Sequence, residues 1–307
     1  MKNHQEKAIL VTGATGTVGS EVIKQLAEVS SSSGYNVRAV VHSKNKSNQL
    51  RQLESEGVEI VDLDYTKQET IEYALNNVDK LFLQTLPTPN VADICSNIIN
   101  EAKKNGVKYV VKLSAMGASD FEPKSTVLRL HGEEEKIIED SGIPYTFLRP
   151  PAFMQNFVTQ FGHTIKTQNA FYVPAEDAKM SFIDSRDIAA VTAEILTKNN
   201  PGSSRQHYEN KAYDITGSNA LSYGQAANIL SSVAGKKISY VNITEEDARR
   251  GMKHIGIGDW FIDIMMELFR IIRAGYGSET TTVVEDITGR KPISFAQFAK
   301  DYVEAFR

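Results

Sequence analysis

The chain has 307 residues, of which 41% are hydrophobic and 23% are charged, a balance typical of a globular protein with one large domain and a smaller lobe. Its net charge of -4 disfavours a nucleic-acid-binding domain, because such domains are usually basic. The single cysteine, Cys95, excludes an internal disulfide bond and a metal site built from cysteines.

From residue 8 to about 150, short β-branched runs alternate with segments of helical periodicity. The strand-like runs are apolar nearly throughout, as strands buried on both faces are. This alternation predicts βαβ units and an α/β Rossmann fold, a doubly wound parallel sheet. The predicted strands are 8–12, 36–42, 58–63, 78–85, 107–114 and 144–149, and the helical segments are 18–29, 48–56, 68–77, 92–105 and 129–141.

The pattern changes at two places. Four serines at 30–33, followed by Gly34, predict a flexible surface loop before the second strand. After residue 150 the predicted strands are short, and capping boxes mark helix starts at Ser222 and Ser294. We therefore predict a domain over 1–150 and a smaller C-terminal α/β lobe over 151–307, interleaved with the sheet of the first half. The short strands lie near 170–173, 180–183, 211–215 and 238–241.

Three glycines follow the first predicted strand, in VTGATGTVGS at residues 11–20. Gly13 permits a tight exit from the strand, Gly16 lets the backbone approach a pyrophosphate, and Gly19 lets the next helix pack closely. The helix N-terminus offers unpaired N–H groups and a partial positive charge to phosphates. The combination predicts a dinucleotide site; the alternative is a glycine-rich turn without a ligand. The other turn residues assigned to this site are Thr15, Thr17 and Val18.

The end of the second predicted strand discriminates between the two nicotinamide cofactors, since an acidic residue there would bind the ribose hydroxyls of NAD. This sequence instead has His42, Ser43 and Lys44, and its next carboxylate is Glu54. A histidine, a hydroxyl and a lysine suit a 2′-phosphate by charge and by hydrogen bonding. The segment favours NADP(H) over NAD(H); the alternative is a solvated basic loop at a helix start.

Two more segments end strands at the carboxyl edge of the sheet, where open α/β folds bind ligands. Asp64 and Tyr65 close the third strand and are predicted to bracket the adenine. Thr85, Leu86 and Pro87 end the fourth strand and are predicted to contact the cofactor as well.

Longer segments spread over nearly the whole chain carry a family resemblance. They are TGATGTVG (12–19), SGIPYTFLRPPAFMQN (141–156), FIDSRDIA (182–189), YDITG (213–217) and VEDITGRKPISF (284–295), with the pair at 64–65. Together they resemble the NmrA-like atypical short-chain dehydrogenases/reductases. The resemblance implies a Rossmann domain that binds NAD(P) and a small C-terminal lobe that closes over the nicotinamide end. The family includes quinone, azo-dye and triphenylmethane-dye reductases, and also a regulator that binds the dinucleotide without turning it over.

The proton relay of standard short-chain reductases is absent from this sequence. That relay requires a tyrosine followed four residues later by a lysine, whose ammonium lowers the pKa of the phenol. None of the 12 tyrosines has a lysine at that position. In the helix expected to carry the pair, His131 stands in place of the tyrosine and Glu135 in place of the lysine.

Two functions therefore stay open at this point. In the first, the protein is an NAD(P)H-dependent oxidoreductase that transfers hydride to a small electrophilic aromatic acceptor of the quinone or azo type, and water or His131 supplies the proton. In the second, the protein binds NADP(H) as a redox signal without catalysis and acts through a protein partner. For His131 the alternative is a structural, hydrogen-bonded histidine.

Further candidates flank the nicotinamide end. Ser114 ends the fifth strand, where the resemblance places a hydroxyl near the nicotinamide; the alternative is a simple strand end. Pro151 and Phe153 follow the sixth strand, and Phe153 is predicted to wall the nicotinamide. Asn156 matches a family asparagine in this part of the site. The alternative for these residues is core packing at a helix start, which we prefer for Met154.

Two other features favour a structural role. Asp187 is predicted to be a helix-start carboxylate that the helix dipole stabilises. Trp260, Ile264 and Leu268 share one helical face, which predicts lobe core, with a hydrophobic lid over an aromatic substrate as the alternative.

The sequence also sets an expectation for location. The polar start MKNHQEK predicts no signal peptide, and no apolar run reaches the roughly 18 residues of a membrane span. We expect a cytoplasmic protein without membrane or nucleic-acid contact. The six histidines form no helical pair, so no metal site is predicted.

Overall fold

The apolar runs of the first half form the parallel sheet that their pattern predicts, in a computed structural model that describes residues 7–41, 48–119, 125–197 and 208–307. The strands are β1 (Lys7–Val11), β2 (Tyr35–Val41), β3 (Glu59–Asp62), β4 (Val78–Leu83), β5 (Tyr109–Leu113), β6 (Tyr145–Arg149), β7 (Ala170–Val173), β8 (Lys179–Met180), β9 (Lys211–Asp214), β10 (Leu221–Ser222) and β11 (Ser239–Asn242). Seven of them form one sheet in the order β3-β2-β1-β4-β5-β6-β9. Strands β1 to β6 pair in parallel, which confirms the predicted Rossmann fold.

Helices follow most strands, as the doubly wound pattern requires. They are α1 (Gly19–Ser33), α2 (Asn48–Ser55), α3 (Gln68–Leu75), α4 (Val91–Lys104), α5 (Thr126–Ser141), α6 (Asn156–Thr159), α7 (Gly162–Gln168), α8 (Ser185–Thr197), α9 (Tyr223–Ala234), α10 (Glu245–His254), α11 (Asp259–Arg273), α12 (Val283–Thr288) and α13 (Phe295–Asp301). Among the helices of the described ranges, none combines the length and hydropathy that a membrane crossing requires.

The chain divides into two compact units, each built from several segments. Unit 1 consists of 1–118, 130–149 and 188–213, and unit 2 consists of 119–129, 150–187 and 214–307. Thus most of α8 and most of β9, which come after residue 150, belong to the first unit. The roles predicted for 1–150 and 151–307 stay predictions.

The central strands of unit 1 are buried along their whole length, as their near-continuous apolar runs predict. Two lysines on these strands, Lys80 on β4 and Lys112 on β5, are nevertheless fully buried. Lys80 donates to the carbonyl oxygen of Leu196 and lies 4.3 Å from the ring centre of Tyr35. Its charge is therefore satisfied within the fold, whereas Lys112 belongs to the candidate site described below.

Aromatic side chains form the core of unit 2. Phe157 packs edge-on against Phe171, Phe182 and Phe295, with ring centres 5.5, 5.3 and 4.9 Å away, and Tyr223 packs edge-on against Phe182 at 5.4 Å. This geometry places ring edges against ring faces, the arrangement that the aromatic quadrupole favours.

Side-chain caps fix the helix starts of unit 2. Ser222 Oγ accepts from Gln225 N at 3.1 Å and Gln225 Oε1 accepts from Ser222 N at 2.9 Å, which is the predicted capping box. Asp187, in the first turn of α8, accepts from Arg290 at 2.6 Å and from Ile293 N at 2.8 Å. Its role is structural, as predicted.

Two sequence-based expectations differ from the structure. The serines at 30–33 continue helix α1 instead of forming a loop, because Gly34, with φ of +71°, supplies the left-handed residue that ends it. Of the predicted core stripe on α11, Ile264 is buried and Leu268 packs against the core as predicted, whereas Trp260 is only partly buried.

Candidate functional site

The glycine turn after β1 is built on close backbone approach. Gly13 has φ of +67°, in the left-handed region that glycine adopts without strain. A Cβ at Gly19 would lie 2.1 Å from the carbonyl oxygen of Gly13, so helix α1 meets the turn too closely for any side chain. Gly16 donates to that same oxygen at 2.8 Å, and a Cβ there would meet it at 3.2 Å.

The start of α1 presents backbone N–H groups that have no acceptor in the described part of the chain. They belong to Thr15 and Thr17, whereas the N–H groups of Ser20 and Val22 donate to carbonyl oxygens at 3.1 and 2.9 Å. A helix N-terminus with free N–H groups attracts an anion through both its donors and its dipole. The arrangement suits a phosphate.

A cavity of about 300 Å³ lies beside this turn. The turn residues 13–16 form one wall, and the ends of β2 and β3 with the start of α4 contribute an apolar surface. Tyr65 adds a phenol whose pKa is raised by burial, so that the hydroxyl remains protonated and able to donate. The apolar lining consists of Val40, Val41, Leu63, Val91 and Ile94.

Two polar side chains of the cavity are absent from the sequence-based prediction. Gln84 Oε1 and Thr88 Oγ1 are buried and have no hydrogen-bond partner among the described residues. Most buried polar atoms in proteins are paired, so an unpaired one calls for an explanation. The Gln84 Cδ atom lies 3.0 Å from the position that a Cβ on Gly13 would occupy, so the amide packs directly against the turn. Both atoms fit the polar groups of a ligand held in the cavity.

The structure brings part of the predicted cofactor set together at this cavity. Two of the predicted residues do not line it. Val18 is fully buried, and Asp64 caps the turn before α3. The Asp64 carboxylate accepts from the Thr66 hydroxyl at 2.6 Å and from Thr66 N at 3.0 Å, and these bonds lower the pKa of Asp64 to about 2. The predicted residues that line the cavity are Gly13, Thr15, Gly16, Tyr65, Thr85 and Leu86.

The remaining predicted cofactor residues are placed less directly. Thr17 and Gly19 lie at the start of α1, and Pro87 is half-buried in the loop after β4. His42, Ser43 and Lys44 lie outside the described residues. Their role in cofactor choice stays a prediction.

Ser114 lies directly after β5 and is buried, with its hydroxyl already engaged. Its Oγ donates to Glu135 Oε1 at 2.5 Å. Glu135 also accepts from Arg149, from Nε at 2.9 Å and from Nη2 at 2.5 Å. Because its proton is committed to this carboxylate, Ser114 can offer a ligand lone pairs but not a donor. Glu135 and Arg149 thus form a bidentate ion pair.

A second cluster, which also involves helix α5, surrounds Lys112, a buried residue of β5. Its Nζ donates to the carbonyl oxygen of Leu113 at 2.9 Å and to Thr85 Oγ1 at 3.2 Å, and lies 3.0 Å from Glu134 Oε2. The Thr85 hydroxyl in turn donates to Glu134 Oε1 at 2.5 Å. Thr85 therefore links the cavity lining to a fully buried ion pair.

His131 completes this cluster. Its Nδ1 lies 3.3 Å from Glu134 Oε2 and is buried without an aligned hydrogen bond among the described residues. Burial, and next the charge of Lys112, lower the pKa of His131. Burial alone would raise the pKa of Glu134, but the ammonium of Lys112, the interaction with His131 and the hydrogen bond from Thr85 bring it down to about 2. At neutral pH the cluster thus holds a carboxylate against a neutral imidazole.

The candidates after β6 belong to unit 2. Phe153 forms a parallel bridge with Ile183, and Met154 N donates to Ile183 O at 2.8 Å. Met154 is buried in the aromatic core, the packing role preferred for it. Pro151 and Asn156 are partly exposed, and the cofactor contacts of these residues stay predictions.

A parallel sheet in this strand order, with a glycine turn after its first strand, defines a Rossmann-type protein of the dinucleotide-binding class. Comparison with known proteins agrees with this class. The family model for the NmrA-like family matches residues 5–286, and the chain belongs to that family.

Relatives of known activity extend over the whole chain. An NAD(P)H azoreductase of Xenophilus azovorans is 37% identical over 298 residues, which are 97% of this chain and 99% of the relative. The structure of an NADPH-dependent quinone oxidoreductase of Escherichia coli with NADPH has a TM-score of 0.80 and 27% identity, and covers 95% of this chain and 99% of its own.

A triphenylmethane reductase of Citrobacter sp. supports the fold alone. It has a TM-score of 0.81 at 24% identity, with 97% of this chain and 99% of its own covered. With the family and these relatives, the chain is an oxidoreductase of the atypical short-chain type.

Proposed function

We propose that this protein is an NADPH-dependent reductase that transfers hydride to a small electrophilic aromatic acceptor of the azo or quinone type, without a tyrosine–lysine relay. The observation that carries the proposal is the cavity beside the glycine turn, whose lining includes Gln84 and Thr88, each with a buried oxygen that has no partner among the described residues. The azoreductase related over 97% of this chain gives the acceptor class.

In this proposal, different residues of unit 1 bind different parts of the cofactor. The free N–H groups at the start of α1 would hold the diphosphate, and the apolar cavity with Tyr65 and Thr88 would hold the adenosine half. The nicotinamide, when bound, supplies the hydride. Azo and quinone acceptors stabilise the added hydride themselves, so that no tuned tyrosine is needed. We assign to the segment 151–307 the binding of the acceptor.

Rapid mixing tests the proposal. The protein is loaded with NADPH and mixed with each member of a panel of quinones and azo dyes. The NADPH absorbance at 340 nm should then fall, at a rate that depends on the acceptor. A protein that binds NADPH tightly but oxidises it with no acceptor would instead fit the alternative, a redox-sensing binding protein with a protein partner. Similar affinity for the oxidised and the reduced cofactor would favour that alternative further.

Cofactor choice gives a separate prediction. Replacing Lys44 with glutamate should weaken NADPH binding by about 10-fold or more and leave NADH binding nearly unchanged, because only NADPH carries the 2′-phosphate. Calorimetric titration with both nucleotides measures the two affinities. Lys237→Glu, the same charge change at an exposed position in unit 2, is the control. Equal losses for the two nucleotides in Lys44→Glu would show that this loop does not discriminate.

A further inference from the structure

The buried cluster around Lys112 has a composition that stability alone does not explain. Lys112 and Glu134 are 0% and 1% exposed, and burying such a pair removes two charges from water. Replacing such pairs by apolar residues is often neutral or stabilising, so the pair is poor evidence of a purely structural role. The cluster also has two distinct ends, since Thr85 lines the cavity and His131 is partly accessible.

We propose that Glu134 is a positioning residue that keeps the proton of neutral His131 on Nδ1, so that Nε2 is the nitrogen that passes a proton to the reduced acceptor. This inference rests on the proposed function. His131 is then the proton donor, and Lys112 and Thr85 hold the Glu134 carboxylate in place.

The geometry supports this arrangement from both sides of the carboxylate. Oε1 accepts from Thr85 at 2.5 Å, which fixes the rotation of the carboxylate, while Oε2 lies between Lys112 at 3.0 Å and the ring at 3.3 Å. An ionised carboxylate can only accept, so the ring nitrogen that faces it is stabilised as N–H. A carboxylate that fixes the tautomer of a histidine is the logic of catalytic triads.

The accessible part of the ring is the part that the proposal needs. Nδ1 is buried, and 16% of the side chain is exposed, so the exposed area belongs to the other side-chain atoms, among which is Nε2. In the imidazolium form both nitrogens carry a proton, and Nε2–H is the one that can leave. In both forms the Nδ1 proton is the one that the proposal places toward the Glu134 carboxylate, 3.3 Å away.

The reaction balances with the proposed cofactor. An azo bond gains a hydride from the reduced nicotinamide at one nitrogen and, at the other, the Nε2 proton of His131 in its imidazolium form, which gives a hydrazine and leaves neutral His131 with its proton on Nδ1. The N=N π bond is lost, two N–H bonds form, NADPH becomes NADP⁺, and neutral His131 regains its proton from solvent.

Acceptors with different proton demands test the proposal. Methyl red needs a proton for each hydride, whereas crystal violet is a cation that hydride alone converts to a neutral product. Glu134→Gln should therefore lower the rate with methyl red relative to that with crystal violet by about 10-fold or more, within the range of general acid catalysis. His131→Gln should lower the same ratio at least as much.

The dependence on pH follows from the groups around the ring. Lys112 faces His131 from β5, Glu134 and Glu135 face it from α5, and the Cys95 thiol of α4 lies 3.9 Å from the Glu134 carbonyl oxygen. The donor is the imidazolium, so the methyl red rate should fall as the pH rises through the lowered pKa of His131. Removing the charge of Glu134 should move this fall to still lower pH, and the crystal violet rate should show no such fall.

A spectroscopic measurement gives a result that does not depend on turnover. In protein labelled with ¹⁵N-histidine, the His131 signals are assigned as those missing in His131→Gln. Neutral His131 should carry its proton on Nδ1 in the wild type, and wholly or partly on Nε2 in Glu134→Gln. A wild-type proton on Nε2 would overturn the proposal even if NADPH oxidation is normal.

Two variants separate positioning from folding. Because Glu134→Gln leaves Lys112 unpaired, the double variant Lys112→Met/Glu134→Gln removes both charges and should fold while keeping the lowered dye ratio. Asp140→Asn changes an exposed carboxylate on the same helix, which pairs with Lys136, and should keep the wild-type ratio. Equal losses with both dyes would assign the cluster a structural role only. If the wild type oxidises NADPH with neither dye, it is the proposed function that fails.

Discussion

Replacing Gly19 with alanine is expected to weaken dinucleotide binding by about 100-fold, since displacing a binding element by about 1 Å has effects of that size. The new Cβ would stand 2.1 Å from the carbonyl oxygen and 2.6 Å from the carbonyl carbon of Gly13, both backbone atoms. Neither contact can be relieved by rotating a side chain. The turn must therefore move away from the start of α1, and the free N–H groups would no longer converge on a phosphate.

Titration calorimetry with NADPH measures this loss, and thermal unfolding measures the accompanying strain, expected at about 1–3 kcal/mol for overpacking. Gly251→Ala is the matched control. It lies inside helix α10 with no atom within 4 Å of the new Cβ, so it should stabilise by about 0.5–1 kcal/mol and leave NADPH binding unchanged. Unaltered affinity in Gly19→Ala would show that the dinucleotide does not use this turn.

The glycine turn could be predicted from sequence because its cause is local. Gly13, Gly16 and Gly19 follow a strand and open a helix, and the backbone contacts at Gly16 and Gly19 lie within seven residues along the chain; Gly13 also meets the side chain of Gln84, which follows β4. The parallel sheet could be predicted for a similar reason, since strands buried on both faces are apolar throughout. Local pattern and global fold agree in these segments.

The buried polar cluster could not be predicted in the same way. Helical register alone pointed to His131, but Lys112 alternates with apolar residues in VKYVVKLS and gives no sign that its charge is buried. Its partners Thr85 and Glu134 are 27 and 22 residues away along the chain, so the cluster exists only in the folded sheet. Gln84 was hidden because the predicted strand extended to residue 85, whereas β4 ends at Leu83.

Replacing Lys112 with methionine is expected to destabilise the protein by about 3–5 kcal/mol, because it leaves the buried Glu134 carboxylate without its cation. Methionine fits the volume of the lysine stem, so that the loss reports charge and not a cavity. Urea unfolding of the wild type and the variant at pH 7 measures the difference in the free energy of unfolding. The double variant Lys112→Met/Glu134→Gln should recover most of it, since no buried charge is left unpaired.

The stabilities of the wild type and of Lys112→Met should depend on pH with opposite signs. In the wild type the pKa of Glu134 is about 2, below its unfolded value, so the stability that Glu134 contributes is present above about pH 4.3 and is lost as the pH falls toward 2. Without Lys112, burial acts on Glu134 with less opposition and raises the folded pKa, so the variant should lose stability as the pH rises from 5 to 8. The double variant should lack this slope. A single variant as stable at pH 8 as at pH 5 would mean that water reaches Glu134 and that the ion pair is not the reason for burying Lys112.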